Sequence, residues 1–358
     1  MSRQIGIDCI RCKPTPRPAH TEYSLEYHPT FTSDDFLKRR EVVETLETKF
    51  PEFQKSGVPT MYDAFDFDFM WGTHDGFVDW KATGRITDLG HAVYAADGSD
   101  MHQPNACPFT TPEEVWAFDP IAEYGITPFD ELVQKYEALH QDRLKRFPHQ
   151  LCTGGYYKTV VSGASQTFGW DMFLEAAADR AKFAKVLERY GAYTLHHARA
   201  WAKTSIEAYI QHDDIMWTSG IFMHPDIYRK VIFPIYKELW KPLKAAGIKV
   251  LFCTDGTADG FWEDIADAGA DGFIFEPTND FDRMVKTFGG THCIVGSKVD
   301  CRTMTLGTWE QVKSEVDATF DAIRGMNGIM LAVGNHIPAN ISDDMIIKYM
   351  DYLREKWK

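Results

Sequence analysis

The sequence predicts an α/β fold, a (β/α)8 TIM-type barrel with an irregular, partly helical amino-terminal region covering the barrel mouth. Two observations carry this. Four compact strand-then-helix units follow one another late in the chain, with strands IKVLFC (248–253), DGFIFE (271–276), THCIVG (291–296) and GIMLAVG (328–334). These strands show almost no polar alternation, the mark of strands buried on both faces of a parallel sheet. Nearly every late strand, the run 206–214 ahead of these four included, also ends in a polar group: Asp214, Cys253 with Asp255, Glu276, Lys298, and Asn335 with His336. A doubly wound sheet would gather its ligands at one switch point, usually behind a Gly-rich phosphate turn, and neither G-x-G-x-x-G nor G-x-x-x-x-G-K-[ST] occurs. A ring of reactive groups at successive strand ends is what a barrel mouth needs.

The elements follow in order. At 358 residues the chain reads as one domain, with 1–150 supplying the cap and early barrel elements and 151–358 the main strands and helices. Ser33 can cap a helix over 33–50, with Pro51 just past its end. The segment 58–118 is rich in aromatics, Asp and Gly, without sustained periodicity. A helix is predicted over 130–147, closed by Pro148. YYKTVVSG (156–163) reads as a short strand, 171–202 as helix, and IEAYIQHDD (206–214) as a second strand ending in acids. A helix from Pro225 is broken or kinked by Pro234 and Pro242. Gly269 and Gly289 stand where left-handed helix stops belong, and Thr308 and Ser342 where N-caps belong.

Composition narrows the partners. A formal charge of −14 argues against nucleic acid and against anionic membrane surfaces, both of which reward basic patches. No uninterrupted apolar run of about 18 residues occurs, so no transmembrane helix is expected, and 1–17 lacks the apolar stretch of a signal peptide. Seven cysteines at irregular spacing read as reduced thiols in a cytoplasmic protein. Cys9 and Cys12 form a lone C-x-x-C, a weak metal or redox signal.

Chemistry-bearing residues concentrate at the strand ends. In HDD (His212, Asp213, Asp214), adjacent carboxylates cannot point the same way on a strand. One of them faces the mouth as a general acid or base, unless both belong to a loop that caps a helix. In CTDG (253–256), Cys253 and Asp255 could share a zinc ion, or the thiol could be packing and the carboxylate a helix cap. Glu276 ends an apolar strand, and Lys298 is its candidate partner. His336 could protonate a leaving group or ligate a metal, with Asn335 beside it. Trp71, Trp80, Trp170 and Trp217 could wall an aromatic pocket or be ordinary core. The adjacent His196 and His197 fall within a helical stretch, where neighbours diverge. Cys293 and Cys301 read as packing residues.

The segments HDDIMWTSGIFMHPDIYRKVIFPIYKELW, KVLFCTDG, AGADGFIFEP, GGTHCIVGSKVD and GIMLAVGNHIP, spanning about 206–340, resemble the uroporphyrinogen decarboxylase superfamily. That superfamily includes the decarboxylase itself and corrinoid-linked methyltransferases on the same barrel. The arginine-bearing amino-terminal motif that grips tetrapyrrole propionates in the decarboxylase proper is not found here. The zinc-binding H-x-C pair and late Cys of the coenzyme M methyltransferases correspond to Cys253, Asp255 and a position near Asn335, a departure at all three places. The resemblance thus implies methyl transfer from a small methylated substrate, methoxylated aromatics among the candidates, to a corrinoid (cobalamin) carried by a partner protein. It assigns Asp214, Asp255, Glu276 and His336 to catalysis, and His212, Trp217, Lys298 and Asn335 to substrate. Zinc would sit at Cys253 with Asp255, Glu276 or His336. A decarboxylase or lyase of a small acid, and a non-catalytic corrinoid or methyl-donor binding protein, are the competing expectations.

Overall fold

The structure is a computed structural model and describes residues 2–23, 25, 61–89, 106–334, 337–338 and 340–357. The helix expected over 33–50 and part of the aromatic segment 58–118 lie outside the described residues.

The strands are β1 (Ala19–His20), β2 (Phe69–Met70), β3 (Leu151–Cys152), β4 (Gly154–Tyr156), β5 (Ala208–His212), β6 (Lys249–Cys253), β7 (Gly272–Ile274), β8 (Cys293–Val295) and β9 (Ile329–Leu331). They are ordered β1-β9-β8-β7-β6-β5-β4, with β2-β3 as a separate pair, and the pairings among them are parallel. Only Thr153 separates β3 from β4, so the two are one wall strand. The Asp68 amide donates to the His20 carbonyl at 2.8 Å, and that of Thr153 to Met70 at 3.3 Å. These bonds seat β2 between β1 and the β3/β4 strand, and eight strands close into a ring. The predicted (β/α)8 barrel is the fold.

Side chains alternate across the wall, as a two-residue period requires. Ala208, Ile210, Leu251, Cys253, Ile274, Cys293, Val295 and Met330 pack into one interior cluster. Tyr209, Val250, Phe252, Phe273 and Ile294 point outward into the larger core beneath the helices. Both sets are apolar, hence the unbroken hydrophobic runs in the sequence.

Most predicted boundaries hold. The helix Phe129–Arg146 stands where 130–147 was expected, Thr308 forms a full capping box with Gln311, and Ser342 accepts from the Met345 amide. Gly269 has the left-handed φ of 116°. Gly289 does not, since its φ is −56°, and the left-handed residue is Gly290 at 79°. The helical stretch 171–202 breaks at Asp179, whose carboxylate caps Arg180–Trp201. A five-residue π turn, Tyr228–Ile232, precedes Phe233–Ala245 and brings Pro234 into the first turn, where no amide is needed.

One expectation is corrected. The strand predicted over 156–163 is a strand only as far as Tyr156; Val160–Phe168 is a helix. The β-branched pair Val160–Val161 suggested a strand, but the buried Asp213 carboxylate accepts the Val161 and Ser162 amides and anchors a helix start there. The amino-terminal region also reaches the far end of the barrel. The helix Ser2–Ile10 plugs the opposite, floor end of the barrel: Ser2 bonds Asp68 ahead of β2, Gly6 packs on the Asp68 carbonyl, and Cys9 touches Cys293 at the start of β8. Tyr23 and Trp71, from the ends of the first two strands, turn toward the mouth.

Outside the wall, His197 stacks on Tyr156 with ring centroids 4.1 Å apart, and its Nδ1 lies 2.7 Å from the Tyr136 hydroxyl. Burial, with smaller contributions from His196 and His74, holds its pKa down at about 3, against an ordinary 6.5. The folded state therefore keeps His197 neutral while the unfolded chain protonates below 6.5. Its stabilisation is complete above that value and is lost as pH falls toward 3. Urea unfolding measured from pH 6.5 to 4.5 is expected to record a loss of roughly 2 kcal/mol from this group, and His197→Gln should flatten that slope.

Candidate active site

The site grows from the ends of β4, β5, β6 and β7. On β5, Ala208 and Ile210 point into the barrel and His212 continues that face, so the chain delivers His212 and Asp214 to the mouth and turns Asp213 outward. Asp213 is fully buried, accepting from Val161, from Ser162 at 2.6 Å, and from the Tyr236 hydroxyl at 2.6 Å. The two readings of HDD therefore each hold for one carboxylate: Asp213 caps a helix and Asp214 faces the mouth.

Asp214 Oδ1 lies 3.1 Å from His212 Nε2 and accepts the Asp255 amide at 3.1 Å. Asp255 follows β6 and is exposed to the mouth. The turn that presents it requires Gly256, whose φ is +78° and whose Cα faces the Trp217 carbonyl so closely that a Cβ would meet it at 2.5 Å. Glu276, at the end of β7, accepts the Gly256 amide at 2.7 Å. Asp214, Asp255 and Glu276 thus converge on one rim, as parallel strands require.

Three carboxylates in close quarters resist simultaneous ionisation. Loss of hydration, then the charge of Asp214 and that of Glu276, outweigh His212 and push Asp255 up to about 8. Burial disfavours the His212 cation, but Asp214, through charge and hydrogen bond, and Asp255 overcome this and raise it to about 9. The His212–Asp214 ion pair thus sits beside an Asp255 whose proton is held more tightly than a free carboxylate's.

Aromatic rings wall the cluster. Tyr157 lies 4.6 Å from the His212 ring, Trp71 lies 6.2 Å from it edge-on, and Tyr23 packs on Trp71 at 3.9 Å. Burial, then Asp214 and Asp255, push the Tyr157 hydroxyl well up, so it stays a proton carrier. Tyr157 and Tyr23 were not singled out from the sequence, although the position of Tyr157, next to the last residue of β4, is the kind of signal that marks a mouth residue.

The remaining candidates separate. Lys298 pairs with Asp282 at 2.7 Å, not with Glu276. Trp217 is exposed on the loop after β5 and packs with Trp170 and Phe222. Trp80 is core, against Tyr124 and Tyr193. Asn335 and His336 lie outside the described residues. Cys253 points into the barrel with its sulfur 3.7 Å from the Tyr23 hydroxyl, and burial followed by Asp255 pushes its thiol well up.

Among the described residues, one group has donor atoms spaced for a metal: His212, Asp214 and Asp255, mutually within 4.8 Å. One imidazole and two carboxylates suit zinc or a similar divalent ion, and Cys253 is not in the set. The ion would have to displace the protons on His212 and Asp255. Zinc affinity measured by calorimetry is therefore expected to rise about tenfold per pH unit for each proton displaced between pH 6.5 and 8, and to be lost in Asp214→Asn.

Residues 159–356, more than half of the chain, match the family described as Uroporphyrinogen decarboxylase (URO-D). The chain belongs to the uroporphyrinogen decarboxylase family. This URO-D family barrel is similar to a methyltransferase from Methanosarcina mazei, with a TM-score of 0.62 over 99% of this chain and 98% of that one at 14% identity. It is also similar to a B12-independent methionine synthase from Shewanella sp. W3-18-1, with a TM-score of 0.45, 9% identity and 96% of each chain covered. At 14% identity the likeness to the Methanosarcina mazei protein is one of fold. No curated protein sequence matches the chain. Among the described residues, no helix is long and apolar enough to cross a membrane.

Proposed function

We propose that this URO-D family member is a methyltransferase that moves a methyl group from a small methylated substrate, such as a methoxylated aromatic, to a corrinoid carried by a partner protein. The observation that carries this reading is the convergence of Asp214, Asp255 and Glu276 with His212 on one rim, beside Trp71 and Tyr157. Removing methyl from an ether leaves an oxyanion that needs a proton, and a cluster of carboxylates that cannot all ionise retains one there. The corrinoid supplies the nucleophile that accepts the methyl group. Aromatic walls suit an aromatic donor. An acid-lined rim repels a polycarboxylate, which disfavours porphyrinogen decarboxylation.

Lys298 and Trp217 are not needed for this chemistry, because the first pairs with Asp282 and the second lies on the loop after β5. Asn335 and His336, named from the sequence alone, stay in the proposal as a substrate contact and a proton donor.

The test mixes the purified protein with a reduced cobalt(I) corrinoid protein and a panel of methoxyaryl and methylamine donors, and follows the corrinoid spectrum. Donor-dependent formation of methylated corrinoid supports the reading. Its absence with every donor overturns it, and carbon dioxide release from a small acid without any corrinoid would replace it with a lyase.

A further inference from the structure

Three cysteines gather under the barrel floor, at the end opposite the mouth. Cys9 lies in the last turn of the plug helix Ser2–Ile10 and Cys293 opens β8; both are buried, and their sulfur atoms are 3.9 Å apart across 284 positions of sequence. Cys12, three residues beyond Cys9, is partly exposed, has a left-handed φ of 52°, and donates its amide to the Cys9 carbonyl at 2.9 Å. Its sulfur packs so close to Gly328 that a Cβ there would meet it at 2.8 Å.

We propose that Cys9 and Cys293 are an oxidation site, forming a disulfide that staples the plug helix to the barrel floor. The two sulfurs already touch and need to close by about 2 Å to reach bonding distance. The terminal position of Cys9 on its helix lets that motion occur without moving the strand. The C-x-x-C spacing places Cys12 one turn beyond Cys9. The fold instead aims Cys9 at Cys293.

With hydrogen peroxide as oxidant the step balances. One thiolate attacks the peroxide, the O–O bond breaks, and a sulfenic acid and water result. The second sulfur then attacks the sulfenic sulfur, the S–O bond breaks, and a second water leaves with the remaining proton. Two thiols and one peroxide give one disulfide and two waters. The reaction is slow by construction. The contact with Cys293, then burial, keep the Cys9 thiol protonated, so oxidation follows the rate at which the plug opens. Once formed, the bond ties a floor element to a wall strand far away in sequence and restricts the unfolded chain.

The test exposes the intact protein to hydrogen peroxide, blocks remaining thiols, and maps peptides by mass spectrometry under non-reducing conditions. The expected product is a Cys9–Cys293 cross-linked pair, two hydrogens lighter than the reduced peptides. The thermal midpoint should rise by a few degrees and return on reduction. Cys12→Ser should still form the link, whereas Cys293→Ser and Cys293→Ala should not. A Cys9–Cys12 link, sulfinic acid without cross-linking, or unmodified Cys9 and Cys293 after prolonged treatment would each overturn the assignment. The wild-type map decides the matter without reliance on any variant.

Discussion

Asp255→Asn is expected to lower kcat for the proposed methyl transfer about a hundredfold with KM little changed, the usual cost of removing a general acid. The asparagine keeps the shape and the backbone turn at Gly256 but carries no transferable proton. Because the Asp255 pKa stands at about 8, the proton-donating form dominates below that pH. The wild-type rate should therefore fall as pH rises through about 8, and this alkaline limb should vanish in the variant. Retention of both the rate and the limb would remove Asp255 from the mechanism. Stability should hardly change, since the side chain faces the mouth.

Its opposite is Asp213→Ala. This carboxylate touches no part of the mouth, yet its loss is expected to destabilise the fold by about 3 kcal/mol, measured by urea unfolding. Three buried donors would be left over: the Val161 and Ser162 amides that begin a helix, and the Tyr236 hydroxyl. Asp213→Asn should cost less, because an amide oxygen still accepts from the helix start. Asp214→Asn, one residue away, should retain stability and lose activity. An Asp213 variant with unchanged unfolding would refute the cap.

The pairing of these two aspartates shows what was legible in the sequence. Adjacent residues on a strand diverge, so one mouth-facing carboxylate was deducible. Which one it is was not, because both faces of β5 are apolar and hydrophobicity alone cannot assign inside from outside. Packing decides it: Ala208 and Ile210 fit the narrow interior, while Tyr209 needs the roomier layer beneath the helices. The strands β5 to β9 were readable as apolar runs, and the caps at Thr308 and Ser342 from local chemistry. The helix at Val160 was not, since what anchors it comes from Asp213, more than 50 residues away. The same holds for Lys298, whose partner Asp282 lies on a helix the sequence placed but could not orient. Tyr157 and Tyr23 reach the site through strand endings too short to announce themselves.

The ring closure has a consequence for how the molecule is made. Ala19 finds its wall partner in Met330, so β1 cannot be flanked on both sides until the nascent chain has been made as far as β9. Until then the growing sheet carries open edges, the usual seed of misassociation. For a barrel of this topology, closure waits on β9, the latch that shuts the wall.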